Sequence, residues 1–187
     1  GSIEGAYAIK TGKLISLSEQ QLVDCATDNN GCNGGLMDTA FKYVEHNSLE
    51  SEQDYQYQGS DDSCSFNSSK AFVKISGYHD VATNNEMALK TAVAQQPVSI
   101  AIEADKTVFQ FYSNGVITSD LCGTNLDHGV LIVGYGYDNK SGNDYWLVKN
   151  SWGDTWGDHG YVKIQRTNST NSSGTCGIAI SASYPIV

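Results

Sequence analysis

Tyr145-Trp-Leu-Val-Lys-Asn-Ser-Trp-Gly-Asp-Thr-Trp-Gly157 changes character at its midpoint. Up to Lys149 it is a run of aromatic and β-branched residues bounded by turn residues, the composition of a strand. At Asn150 a carboxamide interrupts the run, and Trp152 and Trp156 follow among glycine and aspartate. A polar side chain therefore stands where a strand ends and an aromatic cluster begins, a place from which function is often presented.

Upstream, Asn125-Leu-Asp-His-Gly-Val-Leu-Ile-Val-Gly-Tyr-Gly136 has the same design in reverse. Asp127-His128-Gly129 sits at the mouth of an apolar strand, Val130 to Tyr135, and His128 is the best catalytic candidate among four histidines. A histidine beside an apolar strand is more often a hydrogen-bonded structural residue, so its partner decides the reading. His46 falls at the expected C-terminus of a helix, where the dipole favours an imidazolium, and His79 and His159 fall in turns.

Further strands are expected where Val98, Ile100 and Ile102 alternate with Ser99, Ala101 and Glu103, and over Tyr161 to Gln165. Helices precede them. Ser18-Glu-Gln-Gln21 fits a capping box opening a helix through about Asp24, with Leu17 and Leu22 as a hydrophobic staple. Leu36, Met37, Ala40, Phe41, Tyr43 and Val44 recur at helical spacing as far as His46. A third helix is expected from about Asn84 to Ala94, capped by Thr83 and Glu86. Thr167 to Gly174 is low in complexity and reads as an exposed loop. Helices first and strands second indicate an α+β chain of two lobes, with a cleft between lobes as the natural place for a substrate.

The totals agree with a folded chain and narrow its partners. The 187 residues are 40% apolar, enough to bury a core, and 21 acidic against 11 basic side chains give a net charge of −10. That charge repels phosphates, so neither nucleic acid nor an anionic membrane is an expected partner. Its apolar runs are too short to span a bilayer. The five cysteines, Cys25, Cys32, Cys64, Cys122 and Cys176, form no Cys-x-x-Cys pair and no zinc pattern, so no metal and no cofactor is expected. Sequons at Asn67, Asn139, Asn168 and Asn171, together with scattered cysteines, favour a secretory, disulfide-permitting compartment.

The segments around Asn150 and His128 resemble the asparagine and histidine regions of papain-like cysteine peptidases. Leu17-Ser-Glu-Gln-Gln-Leu-Val-Asp-Cys25, Gly31-Cys-Asn-Gly-Gly-Leu-Met-Asp38, Cys176-Gly-Ile-Ala179 and Ser183-Tyr-Pro185 are similar to others of that family, nearest its cathepsin L-like branch. The likeness runs over essentially the whole chain. It implies a papain-like two-lobe α+β fold: a helical left lobe over 1–80 with 184–187 returning to it, an antiparallel β-barrel right lobe over 81–183, and the active cleft between them. His128 becomes the general base and acid of a thiolate–imidazolium pair, Asn150 orients its ring, and Trp152 shields their hydrogen bond from water. Gly35 takes the extended substrate backbone as an added strand, and Gly34 makes room for its approach. Met37, Ala101, Leu126, Gly129 and Ser181 line an apolar pocket for the residue two before the scissile bond, with Asp127 and Trp152 beside the site. Leu, Phe or Val is the expected preference there.

The same resemblance pairs Cys25 with Cys64 and Cys122 with Cys176, which leaves Cys32 unpaired. Papain-like enzymes carry the nucleophilic cysteine about 130–150 residues before the histidine and asparagine. Counting back from His128 and Asn150 falls at or before residue 1, so the chain reads as N-terminally truncated. Its nucleophile and oxyanion glutamine lie upstream, and Cys32 is expected to be disulfide-linked to that segment; Cys32 as nucleophile is the competing idea. The function implied is a cysteine endopeptidase, lysosomal, vacuolar or secreted, acting on protein or peptide substrates and controlled by a propeptide or a protein inhibitor. The chain alone is expected to be inactive. The alternative is a non-catalytic papain-like homologue that binds or builds, as the silicateins do.

Overall fold

Residues 1–118 and 121–187 are described by the computed structural model, and their backbone divides into two units, Gly1–His79 with Pro185–Val187 and Asp80–Tyr184. Among the described residues no helix is long and apolar enough to cross a membrane.

In the first unit, α1 (Ser2–Thr11) ends at Gly12, whose positive φ lets its N–H return to Ala8 O. Ser18 opens α2 (Glu19–Cys25), its Oγ accepting from Gln21 N at 2.9 Å. The reciprocal arm of the capping box is not formed. The Gln21 carboxamide is buried, and it donates to Tyr43 Oη and Ser48 O while accepting from Glu50 N. A buried amide must satisfy both of its ends, and a neighbouring loop offers more partners than one helix terminus. Gln20 does the same, donating to Ser60 O and accepting from Gln58 N and Gly59 N. The two glutamines thus pin the segment from Ser48 to Ser60.

The next helix, α3 (Met37–His46), buries Phe41 and Val44. Leu36, expected in its apolar stripe, is its N-cap and is exposed. Phe41 and Val44 join Ile3, Leu17, Leu49, Val73 and Ile75 in one core, with Leu22 packed against it. The Cys25–Cys64 disulfide closes this unit, and β1 (Gly77–Asp80) ends it.

The second unit begins with α4 (Glu86–Val93), capped by Asn85 rather than Thr83. Asn84 adopts φ 60 and turns the chain, so Asn85 Oδ1 is the acceptor that meets Ala88 N at 2.9 Å. Glu86 is not half of a cap. Its fully buried carboxylate accepts from Trp146 Nε1, Thr167 N and Oγ1, and Ser169 N. Those bonds draw Thr167 to Gly174 onto the unit, and five of its eight residues, Asn168, Ser169, Ser172, Ser173 and Gly174, are half-buried instead of projecting freely. A buried carboxylate needs donors, and composition alone does not reveal where they come from.

The strands are β2 (Val98–Ile102), β3 (Val116–Ile117), β4 (His128–Asp138), β5 (Asn143–Lys149), β6 (Tyr161–Gln165) and β7 (Ala182–Ile186), with the short α5 (Thr107–Gln110) between β2 and β3. Within this unit their order is β7-β2-β4-β5-β6-β3. The expected antiparallel barrel is instead an open, mixed sheet, because β3 joins β6 in parallel. A two-residue edge strand offers few ladder bonds, and an alternating pattern carries no information on closure. Val98, Ile100, Ile102, Ile132, Trp146, Val148, Val162 and Ile164 are fully buried in the core of this unit. Each contributes about 1.5–3 kcal/mol by leaving water.

Candidate active site

Strand register brings the histidine and the asparagine together. Leu131 lies opposite Lys149, so the start of β4 and the residue just past β5 share one end of the sheet. There His128 Nε2 and Asn150 Oδ1 are 2.8 Å apart. Asn150 is held by its own N–H, which donates to Gly160 O, and it is nearly buried.

A second contact fixes the chemistry of the pair. The Ser151 backbone N–H donates to the same Oδ1 at 2.8 Å. A backbone N–H is only ever a donor, so the atom facing it is the carboxamide oxygen and not the nitrogen. His128 must then donate from Nε2, and in the neutral ring the free lone pair is on Nδ1. The imidazole is thereby set to take a proton at Nδ1 and to return it. Asn150 Nδ2 is buried with no hydrogen-bond partner among the described residues; only the acceptor end of this amide is used.

Aromatic rings pack on the His128 side of the pair. Trp152 stacks near His128, centroids 5.1 Å apart and planes inclined by 33°. Phe109, on α5, meets Trp152 edge-on at 5.5 Å and lies 6.3 Å from the imidazole. Trp156 packs on both Trp152 and Phe109, and its Nε1 donates to Gln110 O. Trp152 remains 40% exposed, so it packs on His128 while keeping one face wet. Sequence reading found the tryptophans and missed Phe109, because one aromatic in a four-residue helix carries no periodic signal.

The approach to His128 is braced from below. Asp127 N donates to Ile102 O, and Asp127 Oδ1 accepts from Ala104 N at 2.7 Å. Glu103, buried, receives Asn125 N at 2.7 Å and the Lys106 ammonium at 2.6 Å. Lys106, with the Asn125 N–H, holds the Glu103 carboxyl below its usual range. Glu103 and Asp105 in turn push Lys106 up to about 12. Gly123 passes so close to this carboxylate that any side chain there would collide with it. The Cys122–Cys176 disulfide anchors the same loop. Neither Glu103 nor Lys106 was marked by sequence; an acidic residue at the end of an apolar strand was the only signal.

Three of the expected pocket residues, Ala101, Gly129 and Ser181, are neighbours. Ala101 lies opposite Gly129 in the β2–β4 ladder, and its N–H donates to Ser181 O. Leu126 packs close beside Gly177. Nothing stands within 4 Å of where a side chain on Gly129 would begin. Met37, Gly34 and Gly35 belong to the first unit. Gly35 lies under the Asn29 carboxamide, which also bonds Leu36 N at 3.0 Å, and a side chain at Gly35 would strike it. Gly34 has φ 94 and open space around it. Among the described residues Gly35 makes no backbone hydrogen bond to another main-chain group.

Four of the five cysteines are joined as Cys25–Cys64 and Cys122–Cys176. Cys32 is free and exposed in the first unit. Desolvation, then the carboxylate of Asp61, pushes its thiol up, the reverse of what a nucleophile needs. Asp61 Oδ1 also accepts from Cys32 N at 2.6 Å. Among the described residues no group of three or more His, Cys, Asp and Glu side chains is placed to hold a metal ion.

The family model described as papain family cysteine protease matches residues 1–186. Cysteine endopeptidase RepA of Oryza sativa subsp. japonica is 53% identical over 190 residues, covering 99% of this chain and 49% of that protein. Cathepsin L of Sarcophaga peregrina is 52% identical over 192 residues, covering all of this chain and 55% of that protein. The chain spans about half the length of these relatives. Among solved structures, the ragweed pollen allergen Amb a 11 cysteine protease in its proform superposes with a TM-score of 0.93 at 48% identity, covering 100% of this chain and 56% of that one. The bromelain protease from Ananas comosus, in complex with an inhibitor, gives 0.90 at 41% identity, covering 100% and 85%. With its open mixed sheet, its paired imidazole and carboxamide, and these likenesses over nearly its whole length, the chain belongs to the papain family of cysteine proteases, in the cathepsin L-like branch.

Proposed function

We propose that the protein to which this chain belongs is a cysteine endopeptidase in which His128 is the general base and acid, Asn150 its positioning residue and Trp152 their cover. The observation that carries this is the two-donor grip on Asn150 Oδ1, by Ser151 N–H and His128 Nε2, which leaves Nδ1 as the proton-accepting nitrogen. An imidazole so oriented removes the proton of a thiol, the thiolate attacks the peptide carbonyl, and the same nitrogen protonates the leaving amine. The attacking sulfur and the oxyanion glutamine come from polypeptide outside residues 1–187. Four cysteines here are oxidised and Cys32 has a raised thiol, which supports a sulfur from elsewhere; Cys32 itself pairs with that segment.

Gly35, with no main-chain hydrogen-bond partner of its own among the described residues, receives an extended substrate backbone next to Gly34. Ala101, Leu126, Gly129 and Ser181 favour Leu, Phe or Val two residues before the scissile bond. Position 181 brings no carboxylate, so Arg gains nothing there. A relative solved in its proform and another in complex with an inhibitor support control by a propeptide or inhibitor. Two disulfides support residence in a lysosomal, vacuolar or secreted compartment.

Treatment of the full-length protein with a thiol-directed epoxide, followed by peptide mapping, tests the assignment. The adduct is expected on a cysteine outside residues 1–187, with loss of cleavage of apolar-P2 peptides, while residues 1–187 alone turn over nothing. An adduct confined to Cys32, or no adduct and no turnover in the full-length protein, overturns it.

A further inference from the structure

The four sequons differ in what the fold does with them. Asn67 is exposed, its N–H anchored on Glu50 Oε1 at 2.7 Å. Its Oδ1 accepts from both the N–H of Ser69, at 3.0 Å, and the Ser69 hydroxyl, at 2.8 Å. Ser69 is the hydroxyl residue of this sequon. Two donors on the carboxamide oxygen draw electrons from the amide and make its N–H more acidic, while Nδ2 makes no hydrogen bond among the described residues. In the sequon at Asn139 the hydroxyl is diverted, because Ser141 N and Oγ both bind Asp138 Oδ2, at 2.8 and 2.7 Å.

Asn168 is the opposite case. Its Nδ2 donates to Asp144 Oδ2 at 3.1 Å, and its Oδ1 accepts from Arg166 Nη1. Arg166 is buried and paired with Asp144 at 3.1 Å. A sugar on Nδ2 replaces one of its two hydrogens and crowds the Asp144 carboxylate and the Arg166 guanidinium that hold both ends of this amide, whereas among the described residues nothing holds the Asn67 Nδ2. Asn171 is exposed, but among the described residues its side chain makes no hydrogen bond to the Ser173 hydroxyl of its own sequon.

We propose that Asn67 is the N-glycan acceptor of this chain and that Asn168 is closed to glycan in the folded protein. The donor is a lipid-pyrophosphate-linked oligosaccharide. A bond forms between Asn67 Nδ2 and the anomeric carbon, the anomeric carbon–oxygen bond breaks, the lipid pyrophosphate leaves and the amide proton passes to the transferase base. The inference rests on the secretory passage proposed above and is independent of catalysis.

The full-length protein is expressed behind a secretion signal in a glycosylating eukaryotic host, beside a control glycoprotein, and the soluble product is mapped by mass spectrometry after glycosidase release in heavy-oxygen water. Isotope label is expected at Asn67 and absent at Asn168. Asn67→Asp, which keeps the turn and its acceptor oxygen, removes one glycan step in gel mobility, as does Ser69→Ala; Asn168→Asp changes nothing in mobility. An unmodified Asn67 in product from a host that glycosylates the control, or a glycan on Asn168 in soluble folded protein, overturns the proposal. Either outcome leaves the proteolytic assignment standing.

Discussion

His128 Nε2 and Asn150 Oδ1 lie 2.8 Å apart, and the Ser151 N–H shares the same oxygen at 2.8 Å, so the carboxamide cannot turn over without setting two donors against each other. Only its acceptor end is used, since Nδ2 has no partner among the described residues. Asn150→Ala and Asn150→Asp in the full-length protein should therefore differ. Alanine frees the ring and lowers kcat on the order of 10-fold, a part of the roughly 10²–10⁴-fold supplied by general acid–base catalysis. Aspartate keeps the acceptor and retains more activity than alanine, with a pH–rate profile displaced because a charge now faces the imidazole. His128→Ala loses the whole factor. Steady-state kinetics across pH reads all three, and equal kcat for wild type and Asn150→Ala would remove Asn150 from the mechanism.

Trp152 touches His128, Phe109 and Trp156 while keeping 40% of its surface wet. Trp152→Ala opens the His128–Asn150 bond to solvent, and water competes for both atoms. kcat should fall while KM for short peptides stays close to wild type. Stability falls by about 1–3 kcal/mol, below the ~3–5 kcal/mol of a fully buried Trp→Ala change. Trp152→Phe restores most of the rate. A KM defect with unchanged kcat would instead make Trp152 a substrate contact.

How much of this was legible in the sequence depended on range. Ser18 as a cap, the β2 alternation and the strand ahead of Asn150 are local patterns, written within a few residues. The His128–Asn150 meeting was legible only because both motifs sit at strand ends that antiparallel pairing brings together. Glu86 shows where local reading fails. It occupies a capping-box position, but its carboxylate is claimed by Trp146, Thr167 and Ser169, far along the chain. The open edge at β3 was equally hidden, since two residues make no pattern.

Glu103 and Lys106 set a pH window for the loop that leads to His128. The carboxyl of Glu103 is depressed, first by Lys106 and then by Asn125 N–H, so its stabilisation is complete above the unfolded carboxyl range and is lost as pH falls through the lower folded value. Lys106 is raised to about 12, so its share is complete below the unfolded lysine value and fades only as pH rises through about 12. Lys106→Met should therefore lower Tm at neutral pH, with the gap to wild type closing under acid conditions where Glu103 is protonated in both. A gap that stays constant down to strongly acidic pH would show that the ion pair is not the cause.

Glu86 closes the case for long-range polar packing. Its carboxylate takes Trp146 Nε1 at 3.1 Å on one oxygen, and on the other Thr167 N at 2.9 Å, Ser169 N at 3.3 Å and the Thr167 hydroxyl. All these partners are donors. Glu86→Gln forces its NH₂ against one set of them. The less costly orientation keeps the oxygen toward Thr167 and leaves Trp146 Nε1 facing a donor, a loss of about 1–3 kcal/mol for one orphaned buried group. Glu86→Ala orphans every donor and should exceed that loss. Chemical denaturation measures the totals, and hydrogen exchange locates them. In Glu86→Gln the Thr167 and Ser169 amides should keep their protection while global stability drops; in Glu86→Ala both amides should exchange early as the loop over 167–174 comes loose. If Glu86→Ala denatures at the wild-type midpoint, these bonds contribute nothing net and the loop is held by its own backbone contacts.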